Sequence, residues 1–406
     1  MQTAPISVPP SAGAGRPRLA VVLSHPTQYY SPWFRWLAAN TPLNLRVFYL
    51  WEFGVKATLD PRFQTAIKWD VDLLSGYEHE FVPNASPAPG AESFRGFDNP
   101  ALTARLGAWR PDAILLFGYK WLSHLRVIFW ARRKGVPLVF RGDSHLLGRP
   151  APGWRRRWPL RVLFRQFAAV TYVGKANRAY FEAFGVPPSR LFFVPHAVND
   201  AHFDPNLPAH QEAAQALRRR LQLAPETRVV LFAGKLMPEK QPRELLAAFL
   251  ALAPRQAALV FVGDGPERAT LAMAAQAATP GTVHLLPFAN QSEMPARYLL
   301  ADIFALPSRG LYETWGLAVN EAMHLGVPCL VSDRVGCQQD LVTDGETGWV
   351  FRAGQPEELK SKLAAALAAD LPAFKPRVAA RIAGYTYATA AAGLSQALAS
   401  LARPRR

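Results

Sequence analysis

The sequence predicts an α/β protein with two domains, each a doubly wound parallel sheet. Its 406 residues exceed what one hydrophobic core usually organises, and half of them are apolar, which is enough for two cores. Short apolar runs alternate with helical segments, which favours βαβ units and a parallel sheet. This alternation begins again after a polar, proline-containing passage near residues 200–210, so the boundary between the domains lies there.

The elements follow one another regularly along both halves. The strands are predicted at 18–24, 45–50, 113–117, 138–141, 169–173, 191–194, 229–233, 258–262, 283–286, 303–306 and 329–332, and the clearest helices at 32–39, 122–134, 159–167, 175–184 and 243–251. We expect a disordered tail at 1–16, domains at 17–203 and 204–384, and a terminal segment at 385–406 whose helix crosses back to the first domain. Ligands of doubly wound sheets bind at the carboxyl ends of strands, which predicts an active site in the cleft between the domains.

Composition excludes several classes of protein. The two cysteines, Cys329 and Cys337, have no metal-binding or paired-thiol spacing, which disfavours a zinc site and a disulfide framework and indicates a reducing compartment. The first 16 residues lack the apolar core of a signal peptide, and no run approaches the roughly 18 apolar residues that span a bilayer. We therefore expect a cytoplasmic protein, either free or at the inner face of the cell membrane.

The net charge of +16 lies mostly in the first half, where residues 1–200 hold 25 Lys and Arg against 12 Asp and Glu. A basic domain suits an anionic partner, such as a phospholipid surface, a lipid-phosphate acceptor or nucleic acid. The densest basic run is Trp154-Arg-Arg-Arg-Trp158, followed by Arg161 and Arg165. Its mixture of arginine and tryptophan is typical of membrane-surface contact, and equally of a solvated helix face. Nucleic acid is disfavoured because no recognition motif accompanies the charge.

Two carboxylates are the most informative pair. Glu313 and Glu321 are eight residues apart where a strand end runs into a glycine-containing loop and then a helix near Gly316. On a helix this spacing brings them within about 80° of each other, so both can face one cleft. The loop amides and the helix N-terminus suit a diphosphate, and carboxylates accept hydrogen bonds from sugar and ribose hydroxyls. A solvated glutamate and an ordinary helical one would give the same spacing.

This E-x7-E segment resembles retaining GT-B glycosyltransferases of family four, the glycosyl transferases group 1. Other segments resemble the family in the same order: A-G-K-L-M-P-E-K-Q-P at 233–242, V-G-D-G-P at 262–266, V-P-H-A-V-N at 194–199, E-A-M and G-V-P-C at 321–329, and D-G-E-T-G at 344–348. Together they cover residues 190–350 and are specific as a set. The loop H-P-T-Q-Y-Y at 25–30 replaces the family's glycine-rich first loop and looks like a subgroup variant.

The resemblance implies transfer of a hexose from a UDP- or GDP-sugar to a glycan or lipid-linked acceptor, with retention and without a metal or other cofactor. Lys235 and Lys240 would neutralise the departing diphosphate, Glu321 would hold the ribose, and Glu313 the sugar hydroxyls. The main chain near Phe288 would read the base. The donor-binding residues implied are Gly234, Lys235, Lys240, Gly263, Phe288, Glu313, Thr314, Trp315, Gly316, Leu317 and Glu321. The D-V-D sequence at 70–72 is interpreted as a solvated loop and not as a metal site.

The sequence indicates fewer residues for binding the acceptor than for binding the donor. The acceptor-side candidates are His25, Tyr29, Arg141, Asp143 and His145. Asp143 aligns with a cleft-facing histidine of the family and is a catalytic candidate beside Lys235, Lys240 and Glu313. A capping aspartate and structural histidines are the alternatives, and His196 is interpreted as interdomain structure. At the level of function, a nucleotide-sugar epimerase of the same architecture and a non-catalytic binding protein stay open.

Overall fold

A computed structural model describes residues 16–55, 69–310 and 313–401, together with the backbone of two short strands at 58–60 and 65–67. Most of the predicted tail lies outside these residues. The described part forms two parallel α/β domains, which confirms the predicted fold class. No helix in the described ranges is both long and apolar enough to cross a membrane.

The N-terminal domain is built on a seven-stranded sheet. Its strands, with a separate antiparallel pair β3 and β4, are β1 (Arg18–Leu23), β2 (Asn44–Tyr49), β3 (Thr58–Asp60), β4 (Thr65–Ile67), β5 (Glu78–Phe81), β6 (Ala113–Phe117), β7 (Leu138–Arg141), β8 (Ala169–Tyr172) and β9 (Leu191–Phe193). Its helices are α1 (Tyr30–Asn40), α2 (Leu102–Trp109), α3 (Leu122–Lys134), α4 (Trp154–Phe164) and α5 (Lys175–Ala183), with a 3-10 turn at Pro188–Arg190. The strand order is β5-β2-β1-β6-β7-β8-β9, all parallel.

The C-terminal domain contains a six-stranded parallel sheet in the order β12-β11-β10-β13-β14-β15. The strands are β10 (Arg228–Ala233), β11 (Ala257–Val262), β12 (Val283–Leu286), β13 (Ile303–Leu306), β14 (Cys329–Ser332) and β15 (Gly348–Phe351). The helices are α6 (Pro208–Arg220), α7 (Pro242–Leu252), α8 (Arg268–Gln276), α9 (Met294–Leu300), α10 (Leu317–His324), α11 (Gln338–Leu341), α12 (Pro356–Ala368), α13 (Lys375–Ile382) and α14 (Tyr387–Leu401), with 3-10 turns at Pro238–Lys240 and Leu371–Phe374.

Strand order reverses at β1 in one sheet and at β10 in the other. At such a switch point the chain leaves on opposite faces of the sheet, which opens a crevice beyond the carboxyl end of the strand. His25 lies just after β1, and Gly234 directly follows β10. Both residues line the cleft between the domains, so the topology places the two crevices opposite each other.

The inner strands of the N-terminal sheet, such as β1 and β6, are covered on both faces, which explains why they are apolar along almost their whole length. Alternate residues of β1 face opposite layers: Ala20 and Val22 pack with α2, α3, α4 and α5, whereas Leu19 and Val21 pack with α1 and α14. We call α2 to α5 the outer helical layer. The terminal helix α14 thus belongs to the core of the first domain, although it follows the second in sequence.

The largest differences from the sequence prediction are four additional strands and an earlier start of α4. β5, with the sequence E-H-E-F, was not predicted because it is a partly exposed edge strand of alternating polarity. β15 and the pair β3–β4 were also not predicted. α4 begins at Trp154, five residues before the predicted start, and contains Pro159 inside the helix.

Candidate active site

A cavity of about 480 Å³ lies between the domains at the carboxyl ends of both sheets. Fourteen of the sixteen predicted site residues line it: His25, Tyr29, Asp143, Gly234, Lys235, Lys240, Gly263, Phe288, Glu313, Thr314, Trp315, Gly316, Leu317 and Glu321. Arg141 and His145 are not among the lining residues that the structure describes. Residues that were not predicted also line it, including Trp69, His196, Gln291 and Tyr298.

Two glycine loops form one wall of the cavity. Gly234 and Gly263 both have φ near +145°, a conformation that L side chains rarely adopt. A Cβ atom on Gly263 would overlap the carbonyl oxygen of Gly234, so the loops after β10 and β11 can meet only without a side chain there. The backbone at this wall therefore carries no side chain at the two glycines, so a ligand could approach it closely.

Two lysine side chains line the same cavity as the glycine loops. Lys240 ends the 3-10 turn after β10, and its Nζ lies 2.8 Å from Oε2 of Glu313. Lys235 also lines the cavity, and α10 begins beside it, after Gly316 with φ of +98°. A helix N-terminus with two nearby lysines is an arrangement that favours an anion.

Glu321 is buried on α10, with 3% of its surface exposed, yet it lines the cavity. The hydroxyl of Tyr298 donates to its Oε2 at 2.7 Å, and Nε2 of Gln291 donates to its Oε1 at 3.1 Å. Burial raises the pKa of Glu321, although these donors and Tyr29 act in the opposite direction. Tyr29, a predicted acceptor-side residue, lines the cavity, and its hydroxyl lies beside Glu321.

Asp143 connects the domains at the cavity wall. Thr314 Oγ1 donates to its Oδ2 at 2.8 Å, and Nε2 of His196 lies 3.4 Å from the same oxygen. Burial would raise the pKa of Asp143, but hydrogen bonds from His196 and Thr314 and the charge of Arg141 lower it overall. Burial lowers the pKa of His196, so its ring is neutral at pH 7. His196 faces the cavity as well as the domain interface. The sequence signal for it was its place in the V-P-H-A-V-N segment at 194–199, one of the segments that resemble the family.

His25, the other acceptor-side candidate that lines the cavity, packs edge-on against Trp51 and Phe53 with ring centroids 6.0 and 5.2 Å away. Its Nδ1 lies 3.0 Å from the hydroxyl of Ser24. Burial lowers its pKa to about 4. A neutral imidazole therefore faces the cavity at pH 7.

Arg141 and His145 do not have the geometry of acceptor contacts, and both predictions are corrected. Arg141 is 2% exposed; its Nη1 donates to the Val194 carbonyl at 2.9 Å, and aromatic rings enclose its guanidinium. The backbone N–H of Leu147 donates to Nδ1 of His145, which leaves the proton on Nε2, 3.3 Å from the Glu313 carbonyl oxygen. His145 thus supports the loop that carries Glu313 from the opposite domain.

The predicted solvated loop at 70–72 is exposed, but it makes specific contacts. The N–H and hydroxyl of Ser292 donate to the Asp70 carboxylate, and the N–H of Asp70 donates to Oδ1 of Asn290 at 3.3 Å. The carboxylate of Asp72 instead accepts from the N–H groups of Leu74 and Ser75 in its own loop. The described residues contain no cluster of three or more His, Cys, Asp or Glu side chains suited to a metal ion.

Two family models match most of the chain. Residues 76–197 match the glycosyl transferase 4-like domain, and residues 214–385 match glycosyl transferases group 1, so each domain matches its own model. The chain belongs to the GT-B glycosyltransferases. This glycosyltransferase is 28% identical to D-inositol 3-phosphate glycosyltransferase of Xylanimonas cellulosilytica, over 83% of this chain and 85% of that protein.

A second relative is the GDP-mannose-dependent alpha-(1-6)-phosphatidylinositol monomannoside mannosyltransferase of Mycolicibacterium smegmatis. It is 34% identical over 48% of this chain and 51% of its own length. Among solved structures, Anabaena HepE in complex with UDP has a TM-score of 0.70 and 18% identity, with coverage of 95% of this chain and 100% of HepE. At that identity the similarity shows that this glycosyltransferase shares the fold of HepE.

Proposed function

We propose that this glycosyltransferase moves a hexose from a UDP- or GDP-sugar to a hydroxyl of a glycan or lipid-linked acceptor, with retention and without a metal. The observation that carries the proposal is the pairing, in one cavity, of the Lys240–Glu313 ion pair with the buried Glu321 carboxylate. The ion pair is suited to a diphosphate and a sugar, and the Glu321 carboxylate is suited to ribose hydroxyls. The GDP-mannose dependence of one relative and the UDP bound to HepE support such a donor.

The donor diphosphate lies against the bare glycine wall, Lys235, Lys240 and the N-terminus of α10 in this proposal. Lys240 turns from Glu313 to the phosphate oxygens, and the freed Glu313 carboxylate accepts hydrogen bonds from the sugar. Glu321 accepts from the ribose hydroxyls. Preorganised cations at the leaving group lower the barrier because negative charge develops there as the glycosidic bond to the diphosphate breaks.

The acceptor hydroxyl approaches from the N-terminal side, near Asp143, His196 and His25. Its oxygen forms the new bond to the anomeric carbon on the face that the diphosphate leaves, and its proton passes to a departing phosphate oxygen. The configuration is retained without a protein nucleophile, so no covalent sugar–enzyme intermediate forms. Closure of the two domains expels water and aligns the reacting atoms.

The test is incubation with UDP- and GDP-hexoses in the presence of EDTA, followed by NMR of the product's anomeric proton. We expect acceptor-dependent release of UDP or GDP and a glycoside with the anomeric configuration of the donor. An inverted product contradicts retention, and dependence on added magnesium contradicts metal-free catalysis. Conversion of the donor sugar without any acceptor would support the epimerase alternative.

We also propose that the outer helical layer contacts an anionic membrane. Residues 120–181 contain 14 Lys and Arg and a single acidic residue, Asp143, which faces the cavity. Phe129 of α3 and Trp154 and Trp158 of α4 are 68–74% exposed. The two helices are neighbours, since Arg132 Nη1 donates to Oε1 of Gln166 just after α4 at 3.1 Å. Exposed aromatic rings among arginines suit the boundary between lipid headgroups and acyl chains.

A further inference from the structure

Besides the Lys240–Glu313 ion pair, the cavity contains a pair of aromatic rings, one from each domain. Trp69 belongs to the N-terminal domain and Phe288 to the C-terminal domain, and both line the cavity. Their ring centroids are 6.3 Å apart with an angle of 57° between the planes. Trp69 lies outside the residues that the two family models match.

Trp69 is held in position from its own domain. The backbone N–H of Trp69 donates to the carbonyl of Gly54 at 3.3 Å. Gly54 has φ of +84°, and a Cβ atom there would lie 2.9 Å from Cδ1 of Trp69, so the indole packs directly against this turn. The ring is therefore seated on backbone of the loop that follows β2.

Asp70, the next residue, connects this loop to the opposite domain by hydrogen bonds. Both the N–H and the hydroxyl of Ser292 donate to the Asp70 carboxylate, and Asn290 accepts from the N–H of Asp70. These bonds connect residues more than 200 positions apart in sequence. They bring the two domains together at the end of the cavity where Trp69 meets Phe288.

This end of the cavity adjoins the ribose site of the proposed donor. Gln291, between Asn290 and Ser292, donates to Glu321 at 3.1 Å. A nucleotide whose ribose hydroxyls bind Glu321 and whose phosphates reach Lys240 carries its base on the remaining side of the ribose. That side of the cavity is lined by the segment 288–292 and by Trp69.

We propose that Trp69 and Phe288 form a nucleobase site shared by the two domains, and that the Asp70–Ser292 hydrogen bonds hold it closed on the donor. This inference rests on the proposed nucleotide-sugar donor. Every base has a π-face, so aromatic stacking adds affinity with little preference among bases. The N–H of Phe288 donates to Asp264 at 2.8 Å, so that amide is occupied and stacking becomes the main contribution of this residue.

Isothermal titration with UDP, GDP and pyrophosphate tests the inference, because pyrophosphate probes the phosphate site alone. We expect Trp69→Ala to weaken UDP and GDP binding about tenfold or more. Pyrophosphate binding should be unchanged, which also verifies that the variant is folded, and Trp69→Phe should restore most of the affinity. Trp154→Ala removes an exposed tryptophan of the same domain and serves as the matched control.

The closing contact is tested in the same way. Asp70→Ala should weaken UDP and GDP binding and speed their dissociation several-fold. Asp72→Ala should not, because it loses only bonds within its own loop and an ion pair with Arg35 of the same domain. Equal UDP and GDP affinity for wild type and Trp69→Ala would overturn the base site. Loss of pyrophosphate binding together with nucleotide binding in Trp69→Ala would also overturn it. Failure of the wild type to bind any nucleotide would instead overturn the proposed donor, and the inference with it.

Discussion

Lys240 and Glu313 form an ion pair of 2.8 Å that joins the turn after β10 to the loop before α10. Their side chains are only 23% and 12% exposed, so neither charge is well solvated if its partner is removed. In the proposed donor complex, the pair places a cation and a carboxylate at the point where the diphosphate meets its sugar. It also explains why two residues 73 positions apart have to be considered as one unit of the site.

Substitutions at this pair should separate two roles. We expect Lys240→Ala to lower kcat/KM about 100-fold or more, the usual loss when one preorganised donor to a developing oxyanion is removed. Glu313→Gln should keep nucleotide affinity within a few-fold and lower kcat, because it faces the sugar. Steady-state kinetics and UDP or GDP titration measure the two effects. A Glu313→Gln variant with normal kcat would contradict the sugar contact.

The buried histidine of α3 should make stability depend on pH. His124 is fully buried, and neither ring nitrogen bonds to a residue that the structure describes. Burial lowers its pKa to about 3 from 6.5, so the unfolded chain binds this proton at a higher pH than the native one. The free energy of unfolding should therefore fall as pH drops from about 6.5 towards 3, by up to about 1.4 kcal/mol per pH unit from this group.

His124→Leu isolates that contribution, since it removes the proton and keeps an apolar core side chain. Urea unfolding of both proteins between pH 4 and pH 7 should give a steeper loss of stability for the wild type. Parallel pH profiles would show that His124 is not neutral in the native state.

The crossing of α14 depends on one small residue. A Cβ atom on Gly393 would overlap the carbonyl oxygen of Phe193 at the end of β9. Gly393→Ala should destabilise the protein by about 1–3 kcal/mol, the usual cost of overpacking, despite alanine's better helix propensity. Gly384→Ala, where a Cβ atom has open space, is the matched control. Urea unfolding that ranks Gly393→Ala at or above wild type would contradict the close packing.

Vesicle flotation tests the proposed membrane surface. The protein should bind phosphatidylglycerol vesicles more strongly than phosphatidylcholine vesicles, and salt should weaken the binding. Trp154→Ser with Trp158→Ser should reduce it, whereas Met273→Ser, at an exposed apolar residue of the other domain, should not. Equal binding by the two variants would show that α4 does not meet the lipid.

The sequence predicted every buried strand of the two main sheets except β15, because most of them are short apolar runs covered on both faces. It did not predict β5, whose E-H-E-F pattern is that of a partly exposed edge strand. The helix predicted at 159–167 begins about one and a half turns earlier, at Trp154, so that Pro159 lies within it. Local pattern cannot reveal whether a proline lies in the first turn of a helix or within it.

The motif residues Lys240, Glu313 and Glu321 were predicted to share one cleft, and they line one cavity. Contacts between distant segments were not predicted, because nothing in the local sequence links Asp70 to Ser292 or His196 to Asp143. Arg141 and His145 were assigned to the acceptor from their place at a strand end. Their side chains instead meet the Val194 and Glu313 carbonyls, a distinction that only the packing of the two domains makes.

The central claim is a metal-independent nucleoside-diphosphate site between Lys240 and Glu321. Thermal unfolding with UDP and GDP, each with magnesium or EDTA, tests it most directly on wild type, Lys240→Ala and Glu321→Ala, with Lys362→Ala as a control. Lys362 lies on α12, pairs with Asp344 in the loop before β15, and is not part of the cavity lining described above. A micromolar ligand at millimolar concentration should add about 4 kcal/mol of stability. We predict a shift for the wild type and Lys362→Ala that ignores magnesium and disappears in the other two variants. No shift with either nucleotide, or equal shifts in all four proteins, would contradict the account.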